Sequence, residues 1–166
     1  MVNSARGRRG YTLTELMVVV AIVGILGTVS AKIMLQVNRY FIMTNTRTEL
    51  QREARALMYV VNRGLRQART DSITVDRVAG QPFYSRLRFT KVQGTSMTFY
   101  QNGTELVQVV GTKSRVLSKN VKYLAFTLPR SDDLGIVSVS VTLEKGIYQG
   151  KTKALHMASE KVRVMN

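Results

Sequence analysis

The 166-residue chain has no cysteine, one histidine and 25 basic against 10 acidic side chains, a formal charge of +15. Without cysteine a disulfide framework, thiolate metal sites and a cysteine nucleophile are excluded, and a single histidine leaves the common catalytic triads and zinc sites short of parts. The positive excess favours anionic partners such as lipid head groups, nucleic acid or acidic proteins, and it says nothing about fold.

The first ten residues hold Arg6, Arg8 and Arg9 and end at Gly10. Behind them Tyr11-Thr-Leu-Thr-Glu-Leu16 opens an apolar run, Met17 to Ala31, and no charge occurs from Leu16 to Ala31. At ~1.5 Å per helical residue that stretch covers ~24 Å of a ~30 Å hydrocarbon core. Tyr11 to Thr14 on one side, and Ile33 to Val37 beyond a snorkelling Lys32 on the other, supply the missing length, so residues 11–37 are expected to span a bilayer. Arginines ahead of a first membrane helix hold that end in the cytoplasm. Glu15 is the anomaly. An ionisable group in a membrane helix costs ~2.5–3.5 kcal/mol at the bilayer centre, and less near the interface, unless it finds a partner, so it marks a functional position.

The string Arg-Gly-Tyr-Thr-Leu-Thr-Glu-Leu, residues 9–16, resembles the amino-terminal signature of type IV prepilins and type II secretion pseudopilins. The resemblance implies that a membrane peptidase cuts after Gly10, that the new amine of Tyr11 is methylated, and that Glu15 guides assembly of the helices into a filament. Tyr11 stands where phenylalanine or methionine is commoner, and Thr14 where an aliphatic residue is usual. It implies a lollipop architecture: a spine helix, half membrane and half core, carrying a small head outside the inner membrane. The competing reading is an ordinary secretory signal peptide cleaved near Val29-Ser30-Ala31. Against it stand Glu15 at the head of the apolar core and helical periodicity that continues past Ala31.

From Asn38 to about Thr70 the helix is expected to continue, with Leu50, Ala54, Leu57, Val61, Leu65 and Ala68 recurring at spacings of 4, 3, 4, 4 and 3 on one stripe. Arg52, Arg55, Arg63, Arg66 and Arg69 lie largely off it and read as a solvated face, the alternative being a contact surface for subunits, lipid or DNA. Glu49 can reach Arg52 along the helix. Gly24, Gly27 and Ser30 either loosen the membrane half or serve close helix packing.

Past Thr70 short strands follow: a weak one at Ile73–Val75, then Phe83–Thr90 after the turn Gly80-Gln-Pro82. Ser96–Gln101 and Thr104–Val110 flank Asn102-Gly103, read as a hairpin turn with both residues at positive φ and Phe99 facing Leu106. Val121–Leu128 and Ile136–Leu143 form a second hairpin around residues 129–135, with Val137, Val139, Val141 and Leu143 buried beside Leu124, Phe126 and Leu128. Leu155–Met165 supplies a last strand. The expected fold class is α+β, the spine helix packed on one small antiparallel sheet. The expected divisions are a leader (1–10), a membrane and assembly half (11–37), an amphipathic half (38–70) and a β-rich head (71–166).

Few constellations carry chemistry. His156 reads as a strand histidine, and Asp132-Asp133 as turn residues rather than a calcium loop, which needs six to eight oxygens. Tyr84, Arg86, Arg88 and Lys91 interleave aromatic and basic groups, as anion or DNA contact would use them, against a charged edge strand. The resemblance, with this poverty of catalytic groups, implies a non-enzymatic minor pilin or minor pseudopilin without cofactor or metal, anchored in the bacterial inner membrane with its amino terminus cytoplasmic. The partners the resemblance implies are other pilin or pseudopilin subunits, the prepilin peptidase, the inner-membrane assembly platform and membrane lipid, in a filament expected to serve a pilus or type II secretion. A membrane-tethered DNA-binding pilin for DNA uptake is the alternative, with nucleic acid not favoured.

Overall fold

A computed structural model describes residues 10–130, 132–148 and 152–165, so the leader arginines Arg6, Arg8 and Arg9 lie outside the described residues. The chain is one long helix, α1 (Leu13–Leu65, 53 residues), followed by antiparallel strands, the α+β arrangement the sequence implies. It divides into two compact units, Met1–Ile42 and Met43–Asn166.

In the first unit every residue from Gly10 to Phe41 is exposed, the apolar side chains included, and α1 is long and apolar enough to cross a membrane. Neither Gly24 nor Gly27 breaks the helix, and a Cβ at either would meet nothing within 4 Å. The hydroxyls of Thr28 and Ser30 donate back to the carbonyls of Ile25 (2.8 Å) and Leu26 (2.6 Å), which lets polar side chains sit in an apolar surrounding.

In the second unit the expected stripe is the core: Leu50, Ala54, Leu57, Val61, Leu65 and Ala68 are all buried. Met58 and Gly64 join them. Gly64 is a point of contact rather than a hinge, since a Cβ built there would lie 2.9 Å from Met97 Sδ and 3.3 Å from the Phe99 ring. The helix stops at Leu65, earlier than its periodicity suggests. Gln67 and Ala68 tighten onto the carbonyls of Gly64 and Leu65, and Ala68 then bridges Lys91 while the Arg69 N–H donates to Thr90 O at 2.9 Å. Pairing with the sheet outcompetes another helical turn.

Two sheets replace the single expected one. The first is a meander of β1 (Thr74–Asp76), β2 (Arg86–Thr90), β3 (Ser96–Asn102), β4 (Glu105–Val110) and β5 (Lys113–Ser118), in that order. The second is β6 (Val121–Thr127), β7 (Ile136–Ile147) and β8 (Thr152–Arg163). The Phe126 N–H donates to Tyr84 O at 2.8 Å and Gln101 Nε2 to Lys122 O at 3.1 Å, which ties the two together beside the buried Gln101. Leu87, Phe89, Met97, Phe99 and Leu106 fill the core from the first sheet, and Leu124, Phe126, Val137, Val139, Val141 and Leu143 fill it from the second. Leu128 lies past the end of β6 and is only half-buried.

The β3–β4 hairpin is displaced by one residue from the Asn102-Gly103 reading. Asn102 pairs with Glu105, so the loop is Gly103-Thr104, and only Gly103 (φ +59) takes the left-handed conformation. Phe99 consequently opposes Gln108, and Leu106 opposes Gln101. Phe99 and Leu106 remain diagonal neighbours on one face, so burial is preserved while the pairing changes.

Candidate processing and assembly site

Gly10 and Tyr11 precede α1, and Tyr11 is 90% exposed. Thr12 stands immediately before the first helical residue, Leu13, with Glu15 three residues on. The two are reciprocally bonded: the Thr12 N–H and hydroxyl both donate to Glu15 Oε2, at 2.9 and 3.0 Å, and the Glu15 N–H donates to Thr12 Oγ1 at 3.3 Å. This is a capping box, in which a threonine and a glutamate three residues later satisfy each other's orphan N–H groups at a helix start. The Thr-x-x-Glu spacing was visible in the sequence as a helix-start signal but is overshadowed there by the charge of Glu15. Thr14 Oγ1 lies 3.1 Å from Thr12 Oγ1, so a hydroxyl in place of the usual aliphatic side chain adds to the same polar knot. Tyr11, Glu15, Leu16 and Val19 line a shallow apolar groove beside it. The carboxylate is thus anchored through one oxygen at the mouth of the apolar helix, with Oε1 taking no hydrogen bond among the described residues.

The second sequence candidate is dispersed. Tyr84 lies before β2, not on it, and is exposed; Lys91 follows the strand in the bridge to Ala68. Arg86 and Arg88 share a face but converge on Asp76. Arg86 binds it bidentately at 2.6 and 2.7 Å, and Arg88 Nη2 reaches it at 2.5 Å. The hydrogen bonds from Arg86, aided by the charges of both guanidiniums, hold the Asp76 carboxyl below the usual range and raise Arg86 in turn. Phosphate would have to compete with this pair.

The remaining candidates are structural in placement. Asp132 is held by Arg130 at 2.8 Å, and Asp133 Oδ1 accepts the Gly135 N–H at 2.8 Å. No group of three or more metal-ligating side chains forms among the described residues. His156 is half-buried on β8 opposite Leu143. Glu49 does not pair with Arg52 along the helix; it accepts Lys145 Nζ of β7 at 2.6 Å, because a strand lysine lies within reach once the helix docks. Glu53 likewise accepts Asn120 Nδ2 at 2.9 Å.

Residues 5–31 match the family model described as the prokaryotic N-terminal methylation motif, which is the signature of type IV pilins and pseudopilins. No curated protein and no solved structure matches the chain.

Proposed function

We propose that this chain, a pilin- or pseudopilin-like protein by its signature and α+β architecture, is a minor subunit of a type IV pilus or a type II secretion pseudopilus. Residues 1–10 are its leader, 11–37 its membrane and assembly half, 38–70 the rest of its spine and 71–166 its head. The peptidase cuts between Gly10 and Tyr11, and the Tyr11 amine is methylated. The protein then rests in the inner membrane with its amino terminus on the cytoplasmic side until the assembly platform draws it into a filament. The observation that carries this reading is the position of Glu15: a carboxylate anchored by Thr12 just ahead of the uncharged, exposed stretch Leu16–Ala31 of α1, which lies in the matched motif.

Within the filament Glu15 acts between subunits. Cleavage creates a positive amine on Tyr11 at the same membrane depth, and the neighbouring copy's amine supplies a partner for Oε1, which takes no hydrogen bond among the described residues. Attraction strengthens where water is excluded, and other axial staggers leave the carboxylate unpaired, so the pair selects the stagger. Mass spectrometry of the membrane-extracted protein tests the proposal. A mature end at methylated Tyr11 is expected; an intact Met1, or an end at Lys32 as a signal peptidase would leave, refutes it.

A further inference from the structure

The face of α1 turned away from the core carries Arg52, Arg55, Tyr59 and Arg63 at spacings of 3, 4 and 4, and Arg66, one residue past the helix end, continues a row as regular as the buried one. All five are exposed, Tyr59 at 65%. From Arg52 to Arg63 the row runs ~16 Å along the helix. The two carboxylates of this helical stretch are turned off the row and bound, Glu49 to Lys145 and Glu53 to Asn120. Elsewhere Asp71, Asp76, Asp132 and Glu144 are each paired with basic side chains of their own neighbourhood. The surface therefore presents a cationic row and offers no acidic row to match it.

We propose that this row, Arg52, Arg55 and Arg63 around Tyr59, is an interface for an acidic helix of an unlike subunit, and that it bars two copies of this chain from packing there. The proposal rests on the filament-subunit reading and deepens it. Like copies set face to face bring arginine against arginine, a like-charge juxtaposition that excludes wrong partners. A helix carrying glutamates at the same spacing meets each guanidinium, with Tyr59 as the central aromatic anchor that such interfaces favour. Beside it Tyr59, Asn62, Arg63 and Gln67 line a groove of about 630 Å³ whose amides can donate and accept. Asn62 donates to Glu160 there. The Glu160 carboxylate bonded to Asn62 interrupts the positive charge that a continuous phosphate backbone would follow, whereas carboxylates spaced along a helix need meet only the three guanidiniums, which favours protein over nucleic acid. A subunit so built is excluded from forming a homopolymer through this face.

The chain has no native thiol, so Ala56→Cys places a single one at an exposed position beside the row and leaves the Tyr59 anchor in place. Full-length A56C, in detergent, is mixed with a differently tagged A56C copy that also carries Arg52→Glu, Arg55→Glu and Arg63→Glu, and a short bis-maleimide joins facing copies. The mixed pair is expected to form at least about tenfold more than either like pair at low salt, with the gap closing near ~1 M salt, where the screening length falls to ~3 Å. Replacing the same three arginines by glutamine should raise the like pair above that of the arginine chain, a check that needs no acidic variant to fold. Equal yields of like and mixed pairs overturn the proposal, as does displacement of the mixed pair by an equimolar short DNA duplex. The result is independent of processing: failure here leaves cleavage after Gly10 untouched, and an uncleaved leader leaves this result standing.

Discussion

Replacing Gly64 by alanine should destabilise the head, although alanine is the better helix former. In an open helical position the substitution gains ~1 kcal/mol. At Gly64 the new methyl meets Met97 Sδ at 2.9 Å and the rings of Phe99 and Phe89 at 3.3 and 3.4 Å, all three side chains being buried. Overpacking of this kind costs ~1–3 kcal/mol, so the net change should lie between neutral and a loss of ~2 kcal/mol. The sign should reverse where room is made. In a Met97→Ala background, itself weakened by a cavity, Gly64→Ala should recover up to ~1 kcal/mol of helix propensity. Urea unfolding of residues 38–166, followed by circular dichroism across the four members of the cycle, measures the coupling. If Gly64→Ala stabilises the fragment equally with Met97 and with Ala at position 97, the close approach of helix and sheet is not as described.

Residues 38–166 alone should be a soluble monomer with mixed helical and strand dichroism, and Leu57→Asp should abolish its cooperative transition by burying an unpaired charge; a folded L57D fragment would contradict the helix–sheet core. Asp76 has a depressed folded-state pKa, so its contribution is complete above the unfolded value, roughly pH 4, and is lost as pH falls through the folded one. An Asp76→Asn fragment should show a shallower loss of stability than wild type below about pH 4, read from urea midpoints at stepped pH. Thr12→Ala removes the cap and should cost ~0.5–2 kcal/mol of helix start while leaving the carboxylate in place. Glu15→Gln keeps a hydrogen-bonding side chain but removes the charge; if pairing between subunits is its role, E15Q should be processed yet stranded in the inner membrane, and sheared-filament assays should show it failing where T12A still assembles.

What could be read in advance was whatever is periodic and local. The stripe from Leu50 to Ala68 and the alternation of Val137, Val139, Val141 and Leu143 were legible because burial on one face imposes a period on the residues themselves. The amino-terminal motif was legible because its residues are contiguous. The misreadings share a different cause: each was decided by something distant in sequence. Helix α1 ends at Leu65 because Thr90 and Lys91 capture the next residues. Glu49 turned to Lys145, 96 residues away, in preference to an arginine three residues on. Strand β5, Lys-Ser-Arg-Val-Leu-Ser, is mostly exposed and has no alternation to betray it; its partner β4 makes it a strand. The slip at Gly103 is finer, since Asn-Gly and Gly-Thr are both competent two-residue loops and only the packing of Phe99 and Gln101 chooses between them.

The alternation that made β7 easy to recognise also makes it ambiguous. Val-Ser-Val-Ser-Val-Thr, residues 137–142, repeats every two positions, so sliding β8 along it by two residues returns every side chain to the same kind of neighbour. Hydrophobic pattern alone leaves these registers nearly degenerate. What breaks the degeneracy is unrepeated: Ser140 and Ser159 join hydroxyls at 2.8 Å, and Glu144 clasps Lys153 of β8 at 2.5 Å and Lys122 of β6 at 2.6 Å. One carboxylate thereby indexes all three strands at once, in a chain with no disulfide to hold a wrong pairing back. Its worth lies less in the depth of the native well than in removing the adjacent ones, so a chain lacking Glu144 should betray the loss in slow, heterogeneous refolding before it does so in its melting point.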